Sequence, residues 1–297
     1  MSAACAACGA TGLAVHLAVT RAEGSSLVAT TTAYGTAPAD IVRCHSCGHM
    51  QVAEFPPGQT LEQGYGEVSE GAYLDEEAGQ RATAARALDR IELHVPRRGA
   101  ICDLGCWVGF LLSEAERRGW SAQGVEPSRF AADLARTRFG LDVRTGTLDS
   151  VELSTEACDC VVMGDVIEHL PDPGVALDRI LGLLRPRGVL YLALPDAGSV
   201  VARRPGARWW SVLPTHVQYF TRASLARLLA AHSFTVEWMG TAPKAFTVRY
   251  YLERLAGYSE PMATGAVAVA ERLRMRDRRV WPAFRDQLAV VARRDGP

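Results

Sequence analysis

The chain is almost without lysine. Of its 32 basic residues only Lys244 is not arginine, and 33 acids offset them to a formal net charge of −1. A near-neutral chain carries no field that would gather a polyanion, so nucleic acid is not expected as a partner. The arginine bias reads as genomic base composition rather than as a functional surface. No apolar run reaches the roughly 20 residues that span a bilayer, and no basic-then-apolar leader opens the chain. Neither a membrane anchor nor secretion is therefore expected, and the cytoplasm is the expected compartment. Internal repeats and low-complexity tracts are absent too. What is present is 297 residues, 48% of them hydrophobic, enough for one substantial core and a small appended module.

The small module announces itself by cysteine. Cys5-x-x-Cys8-Gly9 and Cys44-x-x-Cys47-Gly48 are two knuckles, each closed by a glycine that permits the turn aiming both thiolates at one ion. Four thiolates complete a tetrahedral Zn²⁺ site, which makes it structural and worth about 10–16 kcal/mol of folding free energy. The alternative is a redox pair, or two disulfides of a secreted protein. The missing leader and the placement of Cys102, Cys106, Cys158 and Cys160 on expected buried elements favour zinc. His45 and His49 flank the second knuckle as bystanders, because the cysteines suffice. The charged residues through Glu54 are Arg21, Glu23, Asp40, Arg43 and Glu54, a near-neutral set where a ribbon built for RNA should be basic. The expected organisation is a zinc-binding ribbon at 1–54, a linker with a lid helix at 55–95 opened by Pro56-Pro57-Gly58, and a larger domain at 96–297.

In the larger domain Ile101-Cys102-Asp103-Leu104 reads as a short buried strand. It runs into Gly105-Cys106-Trp107-Val108-Gly109, and Phe110 opens a helix. Glycines there allow a tight turn and close ligand approach, and the helix start offers unpaired N–H groups. Val125-Glu126-Pro127 ends a second strand on an acid able to take both hydroxyls of a ribose. The spacing G-x-x-x-G, rather than G-x-G-x-x-G, argues against a nicotinamide dinucleotide. Strands are expected at 100–104, 122–126, 141–144, 158–163, 189–194, 234–239 and 287–292, with a turn at Pro186-Arg187-Gly188. Helical spacing of Leu88, Ile91 and Val95 places a helix at 80–94, and Leu177, Ile180, Leu181 and Leu184 form one apolar face. Thr221 reads as an N-cap ahead of Leu225, Leu228 and Leu229. The arginine-rich stretch 272–279 reads as a solvated helix face.

In this order the segments resemble the class I S-adenosylmethionine-dependent methyltransferases, over residues 88–293. The resemblance implies an α/β fold with a Rossmann-like seven-stranded sheet, here preceded by the zinc ribbon. The last two strands would close the sheet in antiparallel fashion around a helical insertion at 245–275. It also implies S-adenosylmethionine as cofactor. Asp103, Gly105, Cys106 and Gly109 match the family's D-x-G-C-x-x-G loop, and Glu126 with Pro127 matches the ribose-binding position. Thr147 and Leu148 fall in the adenine-contacting segment, and Gly164 falls where a backbone carbonyl meets the methionine amine. Trp107 departs from the pattern, since most members carry a small residue there; its indole must point away from the cofactor or narrow the pocket.

Chemistry is expected above the fourth and fifth strands, in Asp165-Val166-Ile167-Glu168-His169. If that turn is helical, Asp165, Glu168 and His169 stand at i, i+3 and i+4 on one face. The bland reading is a helix-initiating turn whose acids cap N–H groups while the histidine packs. The segment is similar to the E-x-x-E-H turn of small-RNA terminal 2′-O-methyltransferases and to the E-H pair of ubiquinone-pathway O-methyltransferases. That likeness implies a divalent ion such as Mg²⁺, with His216 as a further ligand, although Asp165 is shorter than the usual glutamate. A metal-free histidine base is the stronger reading, with His169 ahead of His216. Trp209, Trp210 and Tyr219 would wall an apolar or ring-bearing acceptor, and Tyr65 and Tyr73 would sit on a lid, unless they only cover core.

The layout further resembles bacterial methyltransferases of sugar, polysaccharide and natural-product pathways, through the cysteine ribbon, the E-H-L-P-D-P segment and the W…H-x-x-Y-F-[ST] segment. The expected activity is therefore methyl transfer to a small-molecule acceptor, oxygen favoured over nitrogen or carbon. One alternative is an RNA methyltransferase, because zinc ribbons precede this fold in 23S rRNA guanine methyltransferases, with more compact metal spacing. The other is a non-catalytic module that binds the cofactor, a reading that Trp107 favours.

Overall fold

The computed structural model describes residues 4–22, 32–56, 71–282 and 284–296. Its strands are Leu13–Leu17 (β1), Thr20–Arg21 (β2), Thr36–Ala37 (β3), Ile41–Cys44 (β4), Met50–Val52 (β5), Ala100–Leu104 (β6), Ser121–Glu126 (β7), Asp142–Thr145 (β8), Cys158–Gly164 (β9), Leu184–Pro195 (β10), Gln218–Tyr219 (β11), Phe234–Thr241 (β12), Phe246–Thr247 (β13), Arg279–Val280 (β14) and Gln287–Arg294 (β15).

Side-chain alternation on the central strands decides the layering. Cys160, Val162, Val189 and Tyr191 face one way and pack with Leu88 and Ile91 of the helix Glu77–Glu92. Val161, Met163, Leu190 and Leu192 face the other and pack with Leu177 and Ile180 of the helix Pro173–Leu183 and with Leu225, Leu228 and Leu229 of the helix Arg222–Ala231. A sheet apolar on both faces must be covered on both, which is the three-layer α/β arrangement. Seven strands run in the order β12-β15-β10-β9-β6-β7-β8. Strands β6 to β10 pair in parallel. Only β15 runs against the others, since it is antiparallel to both β10 and β12. The last two strands thus close the sheet as an antiparallel pair, as expected, with β12 running in line with β10.

Helix starts follow the local chemistry. Ser128, Asp172 and Thr221 each accept a backbone N–H at an N-cap, and Thr221 completes a capping box with Ser224. The Pro186-Arg187-Gly188 turn is absorbed into β10 as a register shift, with Arg187 in the left-handed region at φ 64°. Residues 272–279 are exposed except Arg276. No helix among the described residues is long and apolar enough to cross a membrane.

The N-terminal strands form a separate sheet, β1-β4-β5-β11, whose last member comes from far along the chain. There Gln218 and Tyr219 pair with Gln51 and Met50. The helical insertion after β12, with helices Val248–Glu253 and Glu260–Arg272, is tied back by the buried Glu76 carboxylate, which accepts the Thr247 N–H at 2.8 Å and its hydroxyl at 2.5 Å.

Two glycines shape the loop after β6. A Cβ at Gly105 would come within 2.5 Å of Val166 Cγ2 and one at Gly109 within 2.3 Å of Leu141 Cδ1, and both residues hold positive φ, 78° and 82°. Gly109→Ala is expected to lower the unfolding free energy by about 1–3 kcal/mol in a urea titration, through backbone strain and the clash. Gly182→Ala, on a helix where the added methyl meets nothing within 4 Å, should hold or slightly raise it. Equal behaviour of the two variants would refute this account of the loop.

Candidate active site

A cleft of about 1060 Å³ opens above the carboxyl ends of β6, β7, β9 and β10, room enough for two small ligands side by side. One end is built by the loop after β6. Glu126, 5% exposed, accepts the Trp107 N–H at 2.7 Å and the Ser128 N–H at 2.8 Å, so its carboxylate staples the loop to the end of β7. That bond holds Trp107 at φ 50°, a conformation costly for a bulky residue. The indole packs beside Val108, Phe110 and Ala131, and Trp107 is among the residues that line the cleft. Asp103, Gly105, Cys106, Pro127, Thr147, Leu148 and Gly164 line the same end. Gly109 does not. It is pressed against Leu141 and starts the helix Phe110–Arg117, so its work is packing and turning, and its assignment as a ligand contact is corrected. At Gly164 nothing lies within 4 Å of where a Cβ would sit, which leaves the end of β9 open to a ligand.

Asp103 and Glu126 are two buried carboxyls in one pocket. Burial, and then the Glu126 charge, push the Asp103 pKa up to about 7, and burial raises that of Glu126. Two such acids ask for a ligand that brings positive charge and hydrogen-bond donors.

The middle of the cleft holds the histidines. Glu168, His169 and His216 offer ligand atoms that all lie within 4.8 Å of one another. The His169 and His216 rings meet edge to face with centroids 4.6 Å apart. His169 Nδ1 donates to the Thr215 carbonyl at 2.9 Å, which fixes the orientation of the ring. Burial lowers the His169 pKa to about 4 and pulls His216 well below the usual range, with the neighbouring imidazole adding to the second shift. Glu168 is 2% exposed and neither carboxyl oxygen has a hydrogen-bond partner; burial, then the Asp165 charge, hold its pKa well above the carboxylate range.

Asp165 does not join them. The turn is a short 3-10 helix, Ile167–His169, that starts too late to put Asp165 on the same face. Asp165 is left-handed at φ 55° and pairs with Lys244 instead. Lys244 is the site residue that sequence reasoning missed; its standing as the only lysine was the available signal, but nothing in the pattern said where the insertion would place it.

Beyond the histidines the cleft is aromatic. Trp210 lines it, with its indole N–H on Asp286 at 2.7 Å and its ring 5.6 Å from Phe284. Tyr250 and Tyr251 of the insertion and Tyr34 of the ribbon complete the wall. Trp209 and Tyr219 do not line the cleft, and their assignment to the acceptor wall is corrected: at 3% exposure each they fill the core between ribbon and domain, with Met50 and Val52. Neighbours in an irregular segment point opposite ways, and only one of the tryptophans could face the cavity. Tyr65 and the side chain of Tyr73 lie outside the described residues.

The four knuckle cysteines also converge. Cys5 and Cys47 sulfurs lie 3.6 Å apart, Cys8 and Cys44 sulfurs 3.7 Å, and all four lie within 4.8 Å of one another. Tetrahedral bonds of about 2.3 Å to one zinc require sulfurs about 3.8 Å apart, so the donor set fits that ion. A disulfide needs about 2.05 Å, and all eight cysteines are free.

The Asp103 geometry gives a pH test of the ligand-free protein. Its ordinary pKa of 3.8 rises to about 7 on folding, so the folded state binds the extra proton between those values and stability falls as pH climbs from about 4 to 7. Asp103→Asn removes that penalty. The variant should be more stable than wild type at pH 8, by an amount on the order of a few kcal/mol, and should lose the advantage by pH 4. An equal difference at both pH values would refute the buried-charge account.

Comparison with known proteins agrees with this architecture. A family model described as a methyltransferase domain matches residues 77–237, just over half of the chain. Over 189 residues the chain is 30% identical to a ubiquinone biosynthesis O-methyltransferase of Bradyrhizobium sp. (strain ORS 278), covering 58% of this chain and 70% of that protein. Over 98 residues it is 30% identical to the ubiquinone biosynthesis O-methyltransferase of Bradyrhizobium diazoefficiens, covering 31% of this chain and 38% of the relative, so that match spans well under half of the relative's length. Among solved structures, the [4+2]-cyclase SpnF superposes with a TM-score of 0.53 at 22% identity over 82% of this chain and 98% of its own. The 1,6-didemethyltoxoflavin-N1-methyltransferase of Burkholderia thailandensis does so with 0.52 at 17% identity, over 85% and 97%. At such identities the two structures speak for the fold alone. The chain belongs to the class I S-adenosylmethionine-dependent methyltransferase family.

Proposed function

We propose that the protein transfers a methyl group from S-adenosylmethionine to an oxygen of a ring-bearing small molecule in a biosynthetic pathway, sugar or natural product, with His169 as the general base. The observation that carries this is the His169 imidazole, oriented by the Thr215 carbonyl at the middle of the cleft beside His216. The bound cofactor supplies an activated methyl on a sulfonium, so the chain's own task is alignment and proton removal. Asp103 balances positive charge on the methionine end, Glu126 accepts from the ribose hydroxyls, and the Gly164 end of β9 leaves room between them. Trp210, Phe284 and Tyr251 flank the acceptor ring, and His169 Nε2 takes the proton from the attacking hydroxyl while His216 packs edge-on against it. The relatives named as O-methyltransferases support oxygen as the accepting atom.

A second reading has one observation in its favour. The Glu168 carboxyl, buried and without a hydrogen-bond partner beside two imidazoles, is a donor set that would suit a divalent ion such as Mg²⁺ or Mn²⁺. In the base reading, His169→Ala should slow turnover by about 10²–10⁴-fold without changing cofactor affinity, for the best acceptor in a panel of alcohols and phenols. Its low pKa leaves the base neutral across physiological pH, so with saturating cofactor kcat/KM for the acceptor should stay level down to about pH 5 and fall only toward pH 4, rather than near 6.5. Uptake of Mg²⁺ or Mn²⁺ by the cofactor-bound protein, abolished by Glu168→Ala, would decide for the ion. Full activity of both His169→Ala and His216→Ala would defeat both readings.

Zinc belongs to the same proposal. Cys5, Cys8, Cys44 and Cys47 would hold one Zn²⁺ per chain as a structural ion, supplying folding energy to a module too small to bury a large core of its own. Elemental analysis should find about one zinc per chain and Cys44→Ser should lose it with a lower melting temperature. A metal-free preparation that melts like the loaded one would remove the structural role.

A further inference from the structure

Three polar side chains are sealed between the ribbon and the histidine-bearing segments: His49 and Gln51 at 0% exposure and Gln218 at 1%. Gln218 is the hub. Its Oε1 accepts from His49 Nε2 at 2.8 Å, and its Nε2 gives its hydrogens to the carbonyls of Leu170 and Pro171, both at 3.1 Å. Those carbonyls belong to the two residues that follow His169. Its backbone, in β11, stands opposite Gln51 of β5. Gln51 in turn grips the first cysteine knuckle, accepting from Ala6 N at 2.8 Å and donating to the Ala4 carbonyl at 3.1 Å. The residues around His216 answer to the same seam. Val217 N donates to the Glu168 carbonyl at 2.9 Å, Val52 N donates to the Val217 carbonyl at 3.0 Å, and the Tyr219 hydroxyl donates to the His216 carbonyl at 3.0 Å. His49 also rests on Phe220, ring centroids 4.7 Å apart.

An apolar seam would hold the two units together at least as well, because a buried hydrogen bond adds little net energy once desolvation is counted. His49 Nδ1 is left without a partner, but what the directed bonds of Gln218 and Gln51 add is a single register. At this seam, register means the relative placement of the turn carrying His169 and the segment carrying His216, which leads into β11.

We propose that the ribbon is a working part of the active site, in which His49 and Gln218 are positioning residues that set the distance and angle between His169 and His216. The inference rests on the histidine reading above for its effect on rate, but not for its effect on geometry. A base displaced by about 1 Å loses on the order of 10²-fold in rate, so a module that never touches the acceptor can still govern turnover.

The test uses the full chain, purified with its native metal content. Gln218→Met keeps the side-chain volume and drops all three hydrogen bonds. His49→Phe keeps the ring on Phe220 and drops the donor, and His49→Gln restores a donor toward Gln218. Three quantities are read: the imidazole ¹⁵N signals of His169 and His216, affinity for S-adenosylhomocysteine by calorimetry, and turnover of the acceptor that serves for His169→Ala. Gln218→Met and His49→Phe should displace both sets of imidazole signals and erode the Nδ1–H tautomer of His169. Turnover should fall about 10–100-fold with cofactor affinity unchanged, and His49→Gln should recover most of both losses. Unmoved imidazole signals with wild-type turnover would overturn the proposal, as would a loss of cofactor affinity in step with turnover, which signals general loosening. Should Gln218→Met fail to fold, His49→Phe decides on the same readouts. If His169→Ala keeps full turnover while Gln218→Met still displaces the imidazole signals, the base reading falls and the positioning role stands.

Discussion

The Glu126 carboxylate is the constraint on which the rest of the site depends. Strand β6 pairs in parallel with β7 on one side and β9 on the other, so the chain leaving β6 must cross over one neighbour and away from the other, and a crevice opens at that switch. The loop that borders the crevice has two glycines in left-handed conformation and a tryptophan in the same region between them. Left alone, such a loop would relax. The Trp107 N–H bond to Glu126 ties it to the end of β7, and the Ser128 N–H bond holds the carboxylate in place. The acid that closes the loop is also the acid proposed for the ribose, so in that reading the fold and the cofactor pocket share one side chain.

The cleft is where the structure tolerates what a core avoids. Asp103 and Glu126 are buried together, Glu168 is buried with both oxygens unsatisfied, and Trp107 and Asp165 hold positive φ. Each disfavours folding on its own terms. Elsewhere the arginines pair with acids at exposed positions, as in Arg117 with Glu114 or Arg118 with Asp89, where such pairs contribute little. The apolar layers on either side of the sheet carry the stability that offsets these terms.

The ribbon and the domain are joined through polarity as well as through core. Trp209 and Tyr219 fill the apolar part of the joint, while His49, Gln51 and Gln218 fix its register. A histidine that looked like a spare beside the second knuckle thus has a partner 169 residues away, and the segment of alternating polar and aromatic residues after β10 turns out to be a strand of the ribbon's sheet.

Much of this was legible in the residues themselves. All seven strands of the main sheet, the Thr221 cap and the paired knuckles follow from period-2 runs, cap chemistry and cysteine spacing, which are local rules that tertiary structure seldom overrides. The loop from Asp103 to Gly109 and the acid at Glu126 were legible for the same reason, because glycines and a terminal carboxylate mark a turn wherever they stand. Three things were decided only in three dimensions. Asp165 leaves the histidine cluster because a 3-10 turn breaks the helical spacing that would have aligned it. Trp209 and Trp210 part company because an irregular segment has no period from which to read a face. Lys244, Tyr251 and Phe284 reach the cleft from an insertion whose path depends on Glu76 gripping Thr247 across 171 residues, a contact between distant parts of the chain that no local pattern encodes.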